Sequence, residues 1–385
     1  MADNKDKKAL NVPALRFPEF TEEWEEERLS KIAELSKGVG ISKEQLSEDG
    51  EPCILYGELY TKYKSEIIHK VISKTNIESS NLKRSKRNDV IIPCSGETAI
   101  DIAVARCVPF DNILLGGDLN IIRLHKDDGA FMAYQLNGKR KIDIAKLAQG
   151  VSVVHLYGEN IRAIKTYNPC LQEQQKIVKL LSMLDERIEV QNKIIEDLKK
   201  LKSAIRKMIF TSLKNEHTEN CEINQLLAYE QPSEYIVTND EYSADTTLTP
   251  VLTANKGFVL GYTNENFGIY KKGECIIFDD FTMDAKYVSF PFKVKSSAIK
   301  ILTAKPNVNL RFMFEYLSYL ELKSEEHKRH YISEIASLII ELPSKEKQSR
   351  IAYLMTSLDN KLVLEENTMA RYMDEKQYIL SQMFI

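Results

Sequence analysis

The stretch Pro169-Cys-Leu-Gln-Glu-Gln174 begins a long helical pattern, and Pro343-Ser-Lys-Glu-Lys-Gln348 begins a second such pattern 174 residues later. The two stretches align without a gap, and the same offset carries Phe210 onto Phe384. An ungapped repeat of this length indicates a duplicated structural unit. We therefore predict two copies of one module, each ending in a long helix.

Apolar residues in both helical patterns keep the spacing of three and four residues that is typical of a coiled-coil seam. The first seam comprises Ile177, Leu181, Leu184, Ile188, Ile195, Leu198, Ile205 and Met208. The second seam comprises Ile351, Met355, Leu358, Leu362, Met369, Tyr372 and Ile379. A polar residue interrupts both seams at the equivalent place, Gln191 in the first and Glu365 in the second, as expected where a polar group fixes the register.

A helix over residues 171–210 would be about 60 Å long, which is too long for one small domain to cover. Its apolar stripe needs a partner, and the simplest partner is its own repeat. Antiparallel pairing is natural because one helix leaves the first globular region and the other follows the second. We predict an α+β fold with two globular domains related by pseudo-two-fold symmetry and separated by two long antiparallel coiled-coil spacer helices.

The repeat also sets the expected boundaries of the modules. We expect a disordered N-terminal tail over residues 1–12, a first domain over 13–168, a first spacer helix over 169–210, a linker over 211–222, a second domain over 223–342 and a second spacer helix over 343–385. The globular parts repeat faintly, since residues 86–92 resemble 271–277 as a basic turn entering a buried strand. Phe210 and Phe384 are expected to anchor the helix ends to these domains.

Composition limits the classes of function. The chain has 385 residues, with 53 Lys and Arg against 56 Asp and Glu, so any nucleic-acid surface must be local. No apolar run approaches the roughly 18 residues of a membrane span, and we expect a soluble, cytoplasmic protein. The six cysteines are far apart and are expected to be free thiols. His327 and His330 alone could share a helix face, and two ligands do not make a zinc site.

Several segments together carry a resemblance to a known family. They are Phe17-Pro-Glu-Phe-Thr-Glu-Glu-Trp24, the segment from Pro169 to Gln175, Leu181-Ser-Met-Leu-Asp185, Lys207-Met-Ile-Phe210, Tyr287-Val-Ser-Phe-Pro-Phe292 and the segment from Glu341 to Gln348. In this order, and duplicated, they resemble the specificity subunit of type I restriction-modification systems. The resemblance covers nearly the whole chain after Asn11.

This resemblance implies a non-catalytic DNA reader. Each target recognition domain would read one part of a bipartite double-stranded DNA sequence, and the spacer helices would dock two modification subunits that methylate adenine. Two ATP-dependent restriction subunits could complete the assembly. S-adenosylmethionine, ATP and Mg²⁺ would then belong to the partners, with no cofactor and no metal in this chain.

Local basic runs are the candidates for phosphate contacts. They contribute Lys83, Arg84, Lys86, Arg87, Lys139, Arg140, Lys271 and Lys272, with Lys293, Lys295 and Lys300 as further members, and the isolated Lys286 is an additional candidate. Lys86-Arg87 and Lys271-Lys272 enter the equivalent strand in each half. Solvated turns beside a buried strand would show the same runs, and this alternative stays open for each of them.

Two loops that follow equivalent strands are the candidates for base contacts. Ser95, Glu97 and Thr98 lie in the first loop, and Asp280 and Thr282 lie in the second. A carboxylate can accept a hydrogen bond from cytosine N4, and a threonine can contact a thymine methyl group. We therefore expect these loops to take part in base recognition.

The search for catalytic motifs supports a non-enzymatic function. The sequence has no GxxxxGK[ST] phosphate loop and no Pro-Pro pair of the kind that an adenine methyltransferase motif requires. Asp279, Asp280 and Asp284 form a cramped carboxylate cluster, which makes a metal-dependent nuclease a distant alternative. The main alternative is a coiled-coil protein-interaction scaffold without sequence-specific DNA binding, which the pI of about 6.2 mildly favours.

Overall fold

The computed structural model describes residues 10–78, 80–216, 218–254, 257–322 and 331–385. These residues divide into two compact units. The described residues up to Asn192 form the first unit together with Asn367–Ile385, and Lys193–Glu366 forms the second. Residues 1–9 of the predicted tail and the pair His327 and His330 lie outside the described residues. No described helix is both long enough and apolar enough to cross a membrane.

The first unit contains an α+β domain. Its strands are β1 (Glu25–Arg28), β2 (Ala33–Lys37), β3 (Leu46–Ser47), β4 (Glu51–Ile54), β5 (Ser73–Thr75), β6 (Lys83–Arg84), β7 (Asp89–Pro93), β8 (Ser95–Gly96), β9 (Arg106–Val108), β10 (Leu114–Leu115), β11 (Leu119–Leu124), β12 (Val154–His155) and β13 (Lys165–Asn168). They form sheets in the orders β2-β11-β7-β9, β3-β5-β4-β10-β6, β1-β13 and β12-β8. Its short helices are α1 (Leu29–Ile32), α2 (Glu58–Thr61), α3 (Ala99–Ile102), α4 (Gly129–Asn137), α5 (Lys141–Lys146) and α6 (Gly158–Arg162).

Helix α7 (Leu171–Leu213) leads from the first unit into the second, which holds another α+β domain. Its strands are β14 (Glu219–Glu222), β15 (Leu227–Glu230), β16 (Thr249–Leu252), β17 (Val259–Thr263), β18 (Cys275–Asp279), β19 (Ala285–Val288), β20 (Lys293–Val294), β21 (Ile299–Ala304) and β22 (Ile339–Leu342). The sheet orders are β15-β21-β18-β19, β17-β16-β20 and β14-β22. The helices are α8 (Ile223–Leu226), α9 (Leu310–Tyr319) and α10 (Lys345–Gln382).

The two domains repeat the same central sheet. Strands β7 and β18 are buried along their whole length, as continuous apolar runs predict for strands covered on both faces. Ile91 of β7 pairs with Ile121 of β11, and Ile276 of β18 pairs with Leu302 of β21. In each domain the first and last strands, β1 with β13 and β14 with β22, pair antiparallel just before a long helix begins.

The long helices pack against each other within each unit. In the first unit, Ile177, Leu181 and Leu184 near the start of α7 share a core with Ile379 and Leu380 near the end of α10. In the second unit, the end of α7 and the start of α10 share a core that includes Phe210, Leu213, Ile351 and Met355. The start of one helix therefore meets the end of the other. The predicted fold class, two α+β domains with two long antiparallel helices, is confirmed.

The predicted seam residues face these cores to different degrees. Those that are buried are Ile177, Leu181, Leu184, Gln191, Ile195, Ile351, Met355, Leu362 and Ile379, and those that are half-buried are Ile188, Leu198, Ile205, Leu358, Glu365, Met369 and Tyr372. Met208 is an exception, since 66% of its surface is exposed. The assignment of Met208 to the seam is wrong because the last turns of α7 direct Ile205, Ile209 and Phe210 into the core instead.

The ends of the helices are fixed by equivalent contacts in the two domains. The ring of Phe384, at the end of the chain, lies 5.3 Å from Phe131 of α4, and the ring of Phe210 lies 5.5 Å from Phe312 of α9. These contacts confirm the anchoring role predicted for both phenylalanines. Helix α7 continues to Leu213, past the residue where the sequence places its end, because Leu213 is itself buried in the second core.

The starts of the helices repeat as well. The Gln174 side chain donates to the carbonyl of Pro169 at 2.9 Å and accepts from the backbone N–H of Asp128 at 2.8 Å. Gln348 donates to the carbonyl of Pro343 at 2.9 Å and accepts from the N–H of Asn309, also at 2.9 Å. Asp128 and Asn309 in turn cap α4 and α9. A buried glutamine therefore connects each long helix to the cap of the short helix beside it.

Candidate nucleic-acid interface

The two loops predicted to contact bases leave equivalent ends of β7 and β18. Ser95 lies on the short strand β8 instead of in a loop, whereas Asp280 directly follows β18, and both are buried, with 5% and 1% of their surfaces exposed. The Ser95 hydroxyl donates to Asp118 at 3.2 Å. Asp280 accepts from the backbone N–H of Tyr331 at 2.8 Å, and its other oxygen lies 3.4 Å from the ammonium of Lys300. Neither side chain is available at the surface, because each is occupied inside its domain.

The exposed parts of the same loops lie one to three residues further along. Glu97 and Thr98 are exposed, and the Thr98 hydroxyl accepts from the N–H of Asp101 at 3.2 Å to cap α3. Thr282 is exposed, and its N–H donates to the Asp279 carboxylate at 2.9 Å. These contacts hold the loops in a defined conformation and engage the Thr98 and Thr282 hydroxyls with Asp101 and Asp284, while the side chains as a whole remain exposed.

The carboxylate cluster considered for a nuclease has a structural explanation. Asp279 is buried and accepts from the N–H groups of Phe281 and Thr282, both at 2.9 Å, so it organises the turn after β18. Asp280 faces Lys300, and Asp284 is exposed. Within the described ranges, no three His, Cys, Asp or Glu side chains are grouped so that they could hold a metal ion.

The basic residues of the first domain fall into two groups. Lys83 and Arg84 are half-buried on β6, an edge strand, where Arg84 lies 2.7 Å from Glu51. Lys86 and Arg87 are exposed, and their backbone N–H groups donate to Asp89 and Asp111 at 2.7 and 2.8 Å. The turn before β7 is thus fixed through its backbone, while the two cationic side chains extend into solvent.

The basic run after α4 is divided between solvent and the protein. Lys139 is exposed. Arg140 is half-buried, where its guanidinium donates to the carbonyl of Ile385 at 2.5 Å and to Asp143 at 3.0 Å, with the Tyr167 ring 5.3 Å away. Arg140 therefore has a packing role that the sequence pattern did not reveal.

The candidate cations of the second domain differ in exposure and in partners. Lys271 is exposed, and Lys286 is half-buried on the edge strand β19. Lys272 donates to Glu230 at 2.7 Å, and hydrogen bonds to Glu230 and Tyr235 raise the pKa of its ammonium. Lys272 thus remains charged, with a carboxylate already beside it.

Two lysines that we considered for phosphate contacts lie in the interior instead. Lys293 and Lys300 both have 0% of their surface exposed. Lys293 pairs with Glu265 at 2.6 Å, and Lys300 donates to Gln231 at 3.0 Å beside Asp280. The expectation that they contact DNA is wrong, because a buried ammonium cannot reach a phosphate at the surface. The exposed loop beside Lys293 was missed, although Asn264, Asn266 and Gly268 are typical of a turn.

Comparison with known proteins adds the family context. A family model described as the type I restriction modification DNA specificity domain matches this chain twice, over residues 21–200 and 215–371. The specificity subunit of the type I restriction enzyme EcoR124I/EcoR124II of Escherichia coli is 39% identical over 172 residues, which is 40% of this chain and 41% of that protein. The chain therefore spans less than half the length of this relative.

Two longer matches extend over almost the whole chain. The putative type I restriction enzyme MjaX specificity subunit of Methanocaldococcus jannaschii is 23% identical over 413 aligned residues, covering 97% of this chain and 96% of that protein. The crystal structure of the S subunit of a type I restriction-modification system from M. genitalium superposes with a TM-score of 0.65 at 16% identity, covering 97% of this chain and 99% of that one. This likeness concerns the fold.

Proposed function

This chain belongs to the family of type I restriction-modification DNA specificity proteins, and from that premise we propose that it is the non-catalytic specificity subunit of a type I restriction-modification complex. Each α+β domain reads one half of a bipartite DNA target. The observation that carries this proposal is the double match of the family model, one copy over each domain with its long helix. The chain itself requires no cofactor for this role.

We propose that the exposed cations contact the phosphates of the duplex. The set consists of Lys86, Arg87 and Lys139 in the first domain and Lys271 in the second, with the half-buried Lys83, Arg84 and Lys286 beside them. Exposed ammonium and guanidinium groups release counterions from DNA when they bind, which supplies affinity without sequence preference. Arg140 and Lys272 already have partners within the protein, so we propose no phosphate contact for either.

Base recognition is assigned to the exposed loop residues Glu97, Thr98 and Thr282. The backbones of Thr98 and Thr282 are fixed by hydrogen bonds, so these segments lose little backbone entropy when they bind DNA. Ser95 and Asp280 shape the loops from within and make no base contact in this proposal.

The long helices are proposed to dock two modification subunits. Outward-facing apolar residues support this, because a solvent-exposed apolar stripe is typical of an interaction surface. In the first unit they include Met183, Val190, Met373 and Tyr378, and in the second unit they include Leu201, Met208, Tyr353, Val363 and Leu364. S-adenosylmethionine binds to those subunits, and ATP and Mg²⁺ bind to restriction subunits where these are present. The complex acts on DNA in the cytoplasm.

Selection of duplexes from a randomised library tests this proposal against the scaffold alternative. The full chain, in complex with its modification subunits, is mixed with the library, and bound DNA is sequenced. We expect a two-part motif with a spacer of constant length, and an affinity that falls as salt rises. Recovery of random sequence by an intact complex would favour a protein-interaction scaffold.

A further inference from the structure

The small sheet of the second domain has the same strand pairing as its counterpart in the first. In the first domain Cys53 of β4 pairs in parallel with Leu114 of β10. In the second domain Val251 of β16 pairs in parallel with Lys293 of β20. A proline, Pro52 or Pro250, precedes the paired residue in both cases. Lys293 therefore occupies the position of Leu114.

The neighbouring strand of the hairpin leads to a second position at which the two domains differ. Thr75 of β5 and Thr263 of β17 are equivalent. The Thr75 hydroxyl accepts a hydrogen bond from the N–H of Ile77 at 3.4 Å, and the Thr263 hydroxyl accepts one from the N–H of Glu265 at 3.2 Å. Glu265 therefore occupies the position of Ile77. In the first domain, Ile77 packs against the apolar cluster that contains Leu114. An apolar pair in one domain is thus a buried ion pair in the other.

The ion pair is not required by the core. Lys293 has no exposed surface, and burial of a charged pair costs desolvation energy that an apolar pair does not. The first domain shows that this fold accepts leucine and isoleucine at the two positions. The contacts of Lys293 indicate what the charges add, because its ammonium binds Glu265 at 2.6 Å and also donates to the carbonyl of Phe267 at 2.9 Å.

Both groups that Lys293 binds lie in one loop, over residues 264–268. The Glu265 carboxylate also accepts from the N–H and the hydroxyl of Thr238, at 2.9 and 2.6 Å. Gly268 has a φ of +55°, and a Cβ there would lie 2.4 Å from the carbonyl oxygen of Glu234, so only glycine fits this turn. Buried polar contacts therefore fix the side of this loop that faces the domain interior.

The exposed side chains of this loop are suited to base recognition. Asn264 and Asn266 are exposed, and Phe267 has 57% of its surface exposed while the Lys293 ammonium lies 4.5 Å from its ring centre. An asparagine amide matches the donor and acceptor of adenine in the major groove, and a phenylalanine ring can contact a thymine methyl group. The exposed Lys271 follows four residues after Phe267 and can contact a phosphate.

We propose that the loop over residues 264–267 is a base-reading element of the second domain and that Lys293 is its positioning residue. This inference rests on the proposed function. The loop presents two amides and an aromatic ring in a fixed conformation, and it contacts an A·T-containing part of one half-site. The equivalent segment of the first domain shares an asparagine, Asn76, at the position of Asn264, but it has Glu78 at the position of Asn266, and we expect it to read a different sequence.

Methylation motifs in cells test the loop directly. The full chain is expressed with its modification subunit, and single-molecule sequencing reports the methylated sequence. We expect Phe267→Ala and Asn266→Ala to relax one or two positions in a single half of the motif, with about a tenfold loss of discrimination, and to leave the other half unchanged. The control is Val259→Ala, which truncates a side chain that is 39% exposed on β17 of the same sheet.

A double variant tests the positioning role. Glu265→Ile with Lys293→Leu installs the apolar pair of the first domain, so no charge is left unpaired in the core. We expect this variant to unfold at nearly the wild-type temperature and yet to relax the same half of the motif. A folded double variant with an unchanged motif would overturn the positioning role of Lys293. Unchanged motifs for Phe267→Ala and Asn266→Ala would overturn the proposal that this loop reads bases. Absence of any motif with the wild-type chain would instead reject the proposed function.

Discussion

Lys376 on α10 forms an ion pair with Asp185 on α7 at 2.5 Å, and the same pair recurs in the second unit as Lys202 on α7 with Asp359 on α10. The repeat offset of 174 residues relates both the two lysines and the two aspartates. Each helix therefore supplies an acidic residue near its start and a basic residue towards its end. The pairs can form only when the helices are antiparallel and in one register, so charge specifies the pairing at two places.

The carboxylates that Lys376 binds are buried and Lys376 itself is half-buried, so removal of this cation is expected to be costly. Lys376 also binds Glu66 at 2.5 Å, and the Tyr134 hydroxyl donates to Asp185 at 2.6 Å. The variant Lys376→Met removes the cation that binds both carboxylates directly, and we expect it to lower the free energy of unfolding by about 3–5 kcal/mol. Denaturant titration measures this change.

An exposed pair on the same helices is the matched control. Lys199 and Glu366 lie 2.8 Å apart, with 58% and 48% of their side chains exposed. Lys199→Met should change the free energy of unfolding by less than about 1 kcal/mol, because solvent screens the pair. Equal effects of the two variants would contradict the importance of burial.

The aromatic anchors at the helix ends should also contribute strongly to stability. Phe384 is 2% exposed and packs against Phe131 and Trp24, with ring centres 5.3 and 6.3 Å apart. We expect Phe384→Ala to cost about 3–5 kcal/mol of unfolding free energy, because it removes a large buried ring. Met208→Ala, at an exposed position on α7, should stay within about 0.5 kcal/mol of wild type. A small effect for Phe384→Ala in calorimetry would show that the helix end is not anchored.

Salt dependence of DNA binding tests the phosphate contacts of the first domain. If Lys86 and Arg87 each neutralise one phosphate, the variant Lys86→Gln with Arg87→Gln should reduce the slope of log K against log salt by about 1.8. Lys165→Gln is the control. Lys165 lies on β13 and already pairs at 2.6 Å with Glu26 on the neighbouring strand β1. An unchanged slope in fluorescence anisotropy would remove Lys86 and Arg87 from the interface.

Thiol reactivity should distinguish one cysteine from the others. Cys170 is exposed, whereas Cys53, Cys94, Cys107 and Cys275 are buried and Cys221 is half-buried. Burial raises the pKa of Cys107 to about 12 and that of Cys53 to about 11, so the reactive thiolate is scarce at these sites. In the native protein we expect rapid alkylation at Cys170 alone, as measured by peptide mass spectrometry. Rapid labelling of Cys107 would show that the first core opens readily.

Acid should weaken the ion pair beneath the proposed reading loop. Burial by itself would raise the pKa of Glu265, but hydrogen bonds from Lys293 and Thr238 outweigh it and hold the pKa at about 2. A depressed carboxyl pKa contributes stability above the unfolded value near 4.5, and that stability is lost as the pH falls from there towards 2. Thermal unfolding of wild type should show this loss, and the Glu265→Ile, Lys293→Leu variant should lack the part due to this pair. Identical pH profiles of thermal unfolding for wild type and this double variant would contradict the stabilising role of the Glu265–Lys293 pair.

The sequence predicted the parts of the fold that depend on periodicity and repetition. The long helices, their antiparallel pairing and the anchors at Phe210 and Phe384 follow from apolar spacing and a constant repeat offset. Apolar spacing is visible within a short stretch of sequence, and the offset is supported by many positions at once. The charges at Asp185 and Lys376 were visible in the same repeat. Their pairing was not predicted, because sequence alone does not say which of many charges a helix turns inward.

The candidate site was harder to predict, for a physical reason. A lysine in a basic run and a lysine in the core look alike until its partner is known, and the partner of Lys293 lies 28 residues earlier in the chain at Glu265. Asp280 was expected at a surface loop for the same reason, although Lys300 and the backbone of Tyr331 hold it inside. The placement of Glu97 just after a buried strand follows from the internal repeat, and its side chain is exposed in the structure, while its contact with a base stays a prediction.

The most direct test of the central claim is single-molecule methylation sequencing of DNA from cells that express the modification subunit, with the gene for this chain intact or deleted. We predict a gapped, two-part adenine motif that is methylated when the gene is intact, disappears on deletion and returns when the gene is restored. An identical set of methylated sequences with and without the chain, despite confirmed expression, would contradict its assignment as the specificity subunit.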